Sequence, residues 1–337
     1  MSKRRLSDQQ TRRIKAQQNS QQARVKTPSA SNDSHLGPEQ QGLVISHFRA
    51  QADVQNAISG EVVRCHLRAN LGALVAGDQV IWRAEEPKGV VVAVLPRTSS
   101  IVRPDSYGKL KLVAANITRA LIVIAPEPAA HGNLIDRYLV MLEHLGIEPV
   151  LVVNKVDLLS AEHPLRALLA TYAQLQYPIL HLSAHQPETL VALRELLVTG
   201  ISIVVGQSGV GKSSILQTLL PDEALKIGEL SEAISKGRHT TTHARLYHFP
   251  NGGSCIDSPG IREFGLWHLQ ADDVAQGFVE FRPYLGGCKF RNCQHQSEPG
   301  CRLLQALADG VIGAGRFASY QQIIASLGDV TLQTSEL

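Results

Sequence analysis

Long apolar runs are missing from this chain of 337 residues, although 44% of the residues are hydrophobic. No run reaches the roughly 18 residues that a membrane-spanning helix needs. Arg119 interrupts the best candidate, between Leu112 and Ala125. The N-terminal sequence MSKRRLSDQQTRRIKAQQ also lacks the apolar stretch of a secretory signal. We therefore expect neither export nor a membrane partner, and the predicted location is cytoplasmic.

Cysteine is scarce, with five residues in the chain. In a cytoplasmic protein, so few thiols argue against a disulfide framework. Cys65 and Cys255 lie in apolar, strand-like stretches and are interpreted as small buried hydrophobic residues. The other three are clustered near the C-terminus, which favours a metal site.

The net charge of +3 conceals an uneven distribution. Residues 1–40 contain eight Lys and Arg against three acids, whereas the remainder contains 25 bases and 27 acids. This Gln- and Ser-rich segment cannot bury enough apolar surface to fold, so we predict a disordered basic tail over 1–40. Such a tail suits a polyanion such as RNA, and a solvated tail without function is the alternative.

The composition then divides the chain into three predicted domains. Residues 41–105 contain short β-rich runs at 60–68, 78–84 and 89–96, which indicate a small β-barrel. In the first run Arg64, His66 and Arg68 share one face, which suits RNA, although this segment alone favours an ordinary solvated face of a half-buried sheet. Residues 106–266 alternate apolar strands with amphipathic helices, which predicts a doubly wound α/β domain. Residues 267–337 combine a Cys- and His-rich loop with a helix that aligns Phe317 and Tyr320.

A phosphate-binding loop follows the apolar run 201–205. Residues 206–213 fit the pattern GxxxxGK[ST] and precede a helix-forming stretch. The glycines let backbone N–H groups converge on phosphate oxygens, Lys212 reaches the β- and γ-phosphates, and Ser213 ligates Mg²⁺. The predicted nucleotide-binding residues of this loop are Gly206, Gln207, Ser208, Gly209, Val210, Gly211, Lys212, Ser213 and Ser214.

The tetrapeptide Asn154-Lys155-Val156-Asp157 follows another apolar strand and suits guanine. The Asp157 carboxylate can accept hydrogen bonds from guanine N1–H and from the N2 amino group, which adenine does not offer. Asn154 would tie the base edge to the phosphate loop, and the Lys155 stem would cover the ring. The pair Ser183-Ala184 follows a further strand, where a backbone N–H can meet guanine O6.

The γ-phosphate and Mg²⁺ require two more loops. Asp257 would bind Mg²⁺ through water, and the Gly260 N–H would bind the γ-phosphate. A switch loop supplies hydroxyl groups from Thr240, Thr241 and Thr242, and the sequence does not distinguish which of them ligates Mg²⁺. The motifs keep the cyclic order of ordinary GTPases but start at a different point, so we predict a circularly permuted GTPase.

The residue after Gly260 is Ile261, where Ras-like enzymes carry the Gln that orients the attacking water. Intrinsic turnover should therefore be slow. The catalytic group is unknown; His239 and His243 are candidates, and a structural or solvent-exposed role is the alternative for each.

The pattern Cys288-x4-Cys293-x-His295-x5-Cys301 offers four soft or borderline ligands within fourteen residues. It suits one structural Zn²⁺ per chain in a closed tetrahedral site. A group of buried cysteines with an unrelated His is the alternative.

The stretches GQSGVGKSS (206–214), GRHTTTH (237–243), DSPGIREFGL (257–266) and the Cys/His cluster resemble the signatures of the ribosome small-subunit-dependent GTPases, the RsgA/YjeQ family. With RANLGALVAGDQVIW (68–82), the resemblance covers nearly everything after residue 40. It implies an N-terminal OB-fold, a permuted GTPase domain, a C-terminal zinc domain and a role in late maturation of the small ribosomal subunit, with its rRNA as partner.

Two other functions remain open at this stage. One is a zinc-stabilised rRNA-binding assembly protein with vestigial GTP hydrolysis, which Ile261 favours. The other is a permuted GTPase that acts on the large subunit. A monomer is the default expectation.

Overall fold

The computed structural model describes residues 36–69, 71–104, 109–221, 244–257, 266 and 269–327. Its strands are β1 (Glu39–Phe48), β2 (Gln51–Asn56), β3 (Val62–Leu67), β4 (Gln79–Glu85), β5 (Lys88–Val94), β6 (Ser100–Pro104), β7 (Leu110–Ala115), β8 (Arg119–Ile124), β9 (Glu148–Val153), β10 (Ile179–His181), β11 (Ile201–Val205), β12 (Arg245–His248) and β13 (Ser254–Asp257). Its α-helices are α1 (Gly132–Leu145), α2 (Leu165–Gln174), α3 (Val191–Leu196), α4 (Lys212–Leu219), α5 (Ala271–Gly277), α6 (Arg302–Ala308) and α7 (Ala314–Leu327). Among these described helices, none has the length and apolarity to cross a membrane.

Strands β1 to β5 form a closed barrel because β1 pairs with both β2 and β4, while β3 pairs with β5. The predicted OB-fold barrel is confirmed. The predicted alternation in β3 is also confirmed, since Cys65 is buried and Arg64 and His66 are exposed. Burial raises the pKa of the Cys65 thiol to about 12, so this cysteine behaves as an inert hydrophobic residue. Strands β1 and β2 were not predicted from the sequence.

The GTPase domain is built on a sheet in the order β10-β9-β8-β11-β13, all parallel, with β12 antiparallel to β13. Strands β8 and β9 are almost continuously buried, as expected for a sheet covered on both faces. One face packs against α1 and α2, and the other packs against α3 and α4. The predicted doubly wound α/β domain is confirmed.

The barrel and the GTPase sheet are continuous. Strand β1 pairs with β12 at Ser46 and Arg245, so one sheet of eleven strands runs from the barrel to β10. A separate two-stranded ribbon, β6 with β7, lies in the chain between the barrel and β8.

The C-terminal module packs α5 and α7 directly against α1 of the GTPase domain. An aromatic cluster of Phe278, Phe281, Phe317 and Tyr320 forms its centre, with ring centroids 4.8–6.1 Å apart. The predicted stripe on α7 therefore faces a core. Val140 and Met141 of α1 belong to the same core, so the module shares its interior with the GTPase domain.

A buried charge network crosses this interface. Arg316 of α7 forms a hydrogen bond with Asp136 of α1 and a bidentate pair with Glu280, at 2.7 and 3.0 Å. The Tyr172 hydroxyl also donates to Asp136, at 2.7 Å. Burial alone would lower the pKa of Arg316, but the hydrogen bonds to Glu280 and the attraction of Asp136 outweigh it and raise the pKa above its ordinary value. The guanidinium therefore stays charged and joins the two units.

Candidate nucleotide-binding site and zinc centre

The carboxyl ends of the parallel strands gather the predicted motifs at one edge of the sheet. Asn154 follows β9, Ser183 lies just beyond β10, Gly206 follows β11, and Asp257 ends β13. Because these strands belong to one parallel sheet, residues that are distant in sequence lie along the same sheet edge, which is where open α/β sheets bind ligands.

The phosphate loop runs from the end of β11 to the first residue of α4. Gly206, Gly209 and Gly211 all have positive φ angles, which residues with a Cβ rarely adopt. The Lys212 ammonium donates to the carbonyl oxygens of Gly206 and Gln207, at 2.7 and 2.6 Å. The cation therefore lies over the loop whose N–H groups and helix N-terminus attract phosphate.

Asn154 connects three of the predicted motifs and is 1% exposed. Its Nδ2 donates to the Val210 carbonyl of the phosphate loop at 2.8 Å. Its Oδ1 accepts a hydrogen bond from the Ala184 N–H at 3.1 Å. The side chain thus links the phosphate loop to the loop after β10. The contact with the phosphate loop was predicted from the sequence. The Ala184 N–H, predicted to meet guanine O6, is bonded to Asn154 in this structure.

Lys155 extends across the same loop. Its Nζ donates to the Glu127 carbonyl at 2.7 Å and to the Gly209 carbonyl at 2.9 Å. This position places the aliphatic stem where it can cover a base that lies beside the phosphate loop. Glu127 was not predicted, and no sequence signal could have revealed it, because its contribution is a backbone carbonyl.

Asp157 is exposed and lies in a short 3₁₀ turn, Val156–Leu158. A hydrogen bond with the Ser183 side chain holds the pKa of Asp157 below its ordinary value, with a smaller contribution from its own backbone N–H. The carboxylate is therefore ionised and able to accept two donors. Ser183 is fixed in turn because its N–H donates to Thr189 Oγ1 at 2.9 Å. Thr189 was not predicted from the sequence, because no motif marks it.

The remaining site residues divide into two groups. The structure describes Ser208, Ser213 and Ser214 in the phosphate loop and the start of α4, and Asp257, which is 9% exposed, at the end of β13. The other predicted residues fall outside the described part of the chain: Thr240, Thr241, Thr242, His239, His243, Gly260 and Ile261.

The four predicted zinc ligands converge. The ligand atoms of Cys288, Cys293, His295 and Cys301 all lie within 4.8 Å of one another. Cys288 Sγ is 3.6 Å from His295 Nδ1 and 3.9 Å from Cys301 Sγ. A tetrahedral zinc with ordinary Zn–S and Zn–N bonds requires ligand separations of roughly 3.6–3.8 Å. The donor set and the spacing therefore fit one structural Zn²⁺.

The loop that carries these ligands is held by its own hydrogen bonds. The Glu298 carboxylate accepts from the N–H groups of Gln294 and Gln296, at 2.8 and 2.9 Å. The hydrogen bond from the Gln294 N–H and, after it, the backbone N–H of Glu298 itself are the main causes that lower the pKa of Glu298 to about 2. The Arg302 N–H donates to Cys288 Sγ at 3.3 Å, an arrangement that stabilises a metal-bound thiolate.

The order of the strands and the motifs at their carboxyl ends define a circularly permuted GTPase, flanked by an OB-fold barrel and a zinc-binding module. The family model described as RsgA GTPase matches residues 94–267. The small ribosomal subunit biogenesis GTPase RsgA of Ectopseudomonas mendocina is 53% identical over 338 residues, which cover 97% of this chain and 98% of that protein. The chain belongs to the RsgA GTPase family.

Solved structures agree in fold. YjeQ from Thermotoga maritima matches with a TM-score of 0.71 at 29% identity, covering 87% of this chain and all of that one. YloQ, a circularly permuted GTPase, matches with a TM-score of 0.70 at 24% identity, covering 91% of this chain and all of its own.

Proposed function

We propose that this chain hydrolyses GTP to GDP and phosphate and acts in the biogenesis of the small ribosomal subunit, which stimulates its turnover. The observation that carries the proposal is the 53% identity, over almost the whole length of both proteins, to a relative that bears this description. This similarity disfavours a vestigial GTPase and a large-subunit factor. A bacterial role of this kind implies a cytoplasmic location. We propose that the protein is a monomer.

We propose the following roles for the site residues. Asp157 selects guanine, Lys212 and the phosphate loop bind the phosphates, and Ser213 and Asp257 hold Mg²⁺. The ionised state of Asp157 supports the first role, because an anionic carboxylate accepts both guanine donors. The hydrogen bonds of Lys212 to the carbonyl groups of the phosphate loop support its role in binding the phosphates.

We also propose the domain limits 1–40, 41–105, 106–266 and 267–337, with the barrel and the zinc module as the rRNA-binding units. Arg64 is exposed on β3, pairs with Asp53 and lies 5.0 Å above the ring of Phe48. A cation beside an aromatic ring supports a role for the barrel in binding single-stranded RNA.

The proposal is tested by measuring the GTP turnover of the protein by itself, with purified small subunits and, separately, with large subunits. Ordering a switch loop and supplying a catalytic group increase turnover by roughly 10³–10⁵-fold in related phosphoryl-transfer systems. We expect an increase of orders of magnitude with small subunits only. Equal turnover in all three samples would contradict the proposal.

A further inference from the structure

Helix α1 of the GTPase domain packs against the phosphate loop. Leu134, Ile135 and Tyr138 of this helix line a small cavity together with Gly206 and Gln207 of the loop. The cavity has a volume of about 10 Å³, which is at the lower limit for one water molecule, so the helix and the loop are in nearly direct contact. None of the site residues predicted from the sequence lies on α1.

Gly206, the first residue of the phosphate loop, is enclosed between β8 and α1. It is buried, and a Cβ at this position would lie 2.2 Å from the Val123 carbonyl oxygen. The register of β11 with β8 ends at Val205, so the sheet does not extend to Gly206. A buried N–H group needs a hydrogen-bond partner, because burial removes the water that would otherwise accept from it. The position of Gly206 therefore depends on what accepts from its N–H.

Tyr138 supplies this acceptor. Its side chain is 4% exposed, and its hydroxyl group forms a hydrogen bond with the Gly206 backbone. Burial raises the pKa of Tyr138, and the bond with Gly206 opposes this rise, which identifies the N–H as the donor and the phenol oxygen as the acceptor. A neutral phenol thus holds the first residue of the phosphate loop.

The helix that presents Tyr138 is itself held from other directions. Asp136 of α1 is hydrogen-bonded to Tyr172 and to Arg316, and Val140 belongs to the core of the C-terminal module. The hydroxyl group is therefore carried by a helix that packed elements fix on several sides. A rigid support of this kind restricts the empty phosphate loop, and a restricted loop binds more tightly because it loses less freedom on binding.

We propose that Tyr138 is a positioning residue of the nucleotide site, whose hydroxyl group fixes Gly206 and thereby keeps the phosphate loop in the conformation that binds phosphate. Tyr138 acts through the Gly206 backbone rather than on the nucleotide. The inference rests on the proposed function, which assigns this loop to the phosphates of GTP.

Calorimetry on the full-length protein tests the inference, with GDP and with a non-hydrolysable GTP analogue, each in the presence of Mg²⁺. Tyr138→Phe keeps the ring and removes the oxygen. It should weaken both nucleotides by roughly 2- to 10-fold, the effect of one hydrogen bond, and by the same factor because both use the same loop. Hydrogen–deuterium exchange of the Gly206 amide should also become faster in the nucleotide-free variant, a readout that reports on this bond rather than on packing.

Tyr177→Phe is the matched control. It removes another buried tyrosine hydroxyl that contacts α1, where it donates to Glu143 at 3.3 Å. This variant should bind both nucleotides as wild type and leave the exchange of the Gly206 amide unchanged. Circular dichroism and thermal unfolding verify the fold of both variants. Wild-type affinity in Tyr138→Phe, or an equal loss of affinity in the two variants, would overturn the inference.

Lys212→Ala distinguishes the inference from the proposed function. The proposed function requires this variant to lose most of its GDP affinity. If it does so while Tyr138→Phe binds GDP as wild type, only the role of Tyr138 is wrong. If Lys212→Ala keeps wild-type affinity, the assignment of the loop to the phosphates is wrong and the role of Tyr138 fails with it.

Discussion

Replacing Arg316 tests whether the buried charge network holds the zinc module on the GTPase domain. Arg316 is 4% exposed and Asp136 is 2% exposed. Arg316→Met removes the cation that neutralises both Asp136 and Glu280 and leaves two carboxylates in an apolar interface. Breaking a buried ion pair from one side costs about 3–5 kcal/mol, because the remaining charge stays desolvated. We expect that loss in the free energy of unfolding of the C-terminal module.

The measurement is a urea titration in which zinc release is monitored, because zinc release reports on the unfolding of this module rather than of the whole chain. With slopes of about 1–3 kcal/mol per molar urea, the midpoint should fall by at least roughly 1 M. The matched control is Arg282→Met, because Arg282 joins the same two units through an exposed pair with Glu143, at 2.7 Å. An exposed pair contributes about 0–1 kcal/mol, so the control should shift the midpoint far less.

A triple variant distinguishes the network's charge from its packing. Arg316→Met combined with Asp136→Leu and Glu280→Met removes every buried charge of the network, while Tyr172 keeps its contact with the Gly132 carbonyl at 3.2 Å. The triple variant should be more stable than Arg316→Met alone. If it is less stable, or if Arg316→Met and Arg282→Met lose the same stability, the reasoning is refuted.

Three further predictions concern the nucleotide site and the zinc centre. Asp157→Asn should weaken GTP binding and favour xanthosine triphosphate in competition binding, because an amide donates to the xanthine C2 carbonyl. The control Glu162→Gln changes a nearby exposed acid and should leave this preference unchanged. An unchanged preference in Asp157→Asn would refute the assignment. Gly211→Ala should abolish nucleotide binding measured by calorimetry, because a Cβ at this position would collide with Asn154 Nδ2. The control is Gly146→Ala: Gly146 also has a positive φ but has open space around it, so the variant should lose only about 1–2 kcal/mol of stability. Zinc analysis should give about one equivalent per chain. Cys293→Ser should unfold the C-terminal module, as detected by limited proteolysis, because zinc supplies on the order of 10 kcal/mol of folding energy to such sites, while the control Cys65→Ala should retain the metal. A zinc-depleted module that resists proteolysis would contradict this prediction.

The sequence was most informative where function depends on local order. The phosphate loop needs a strand, positive-φ glycines and a helix in succession, so residues 201–219 predicted both the local structure and the position of Lys212. The zinc cluster was equally accessible, because its four ligands lie within fourteen residues. In both cases the chemistry constrains neighbouring positions of the chain.

Contacts between distant segments were not accessible in this way. Strand β1 carries the polar run Glu39-Gln40-Gln41, and its extended form depends on pairing with β2 and β4. Arg316 and Asp136 are 180 residues apart, and nothing in either local sequence marks them as partners. Asn154 was predicted from its motif, but its second bond, to Ala184, became evident only when the loops were placed in space.

The pairing of β1 with β12 also bears on how the chain is made. Ser46 leaves the ribosome early, whereas its partner Arg245 follows about two hundred residues later. At a synthesis rate of about 5–20 residues per second, that edge of β1 waits on the order of ten to forty seconds for the strand that covers it. An uncovered strand edge is a template for pairing with other chains. The nascent barrel is therefore most exposed to misassociation during translation of the GTPase domain, and slowing translation between these two strands should increase aggregation of the nascent chain.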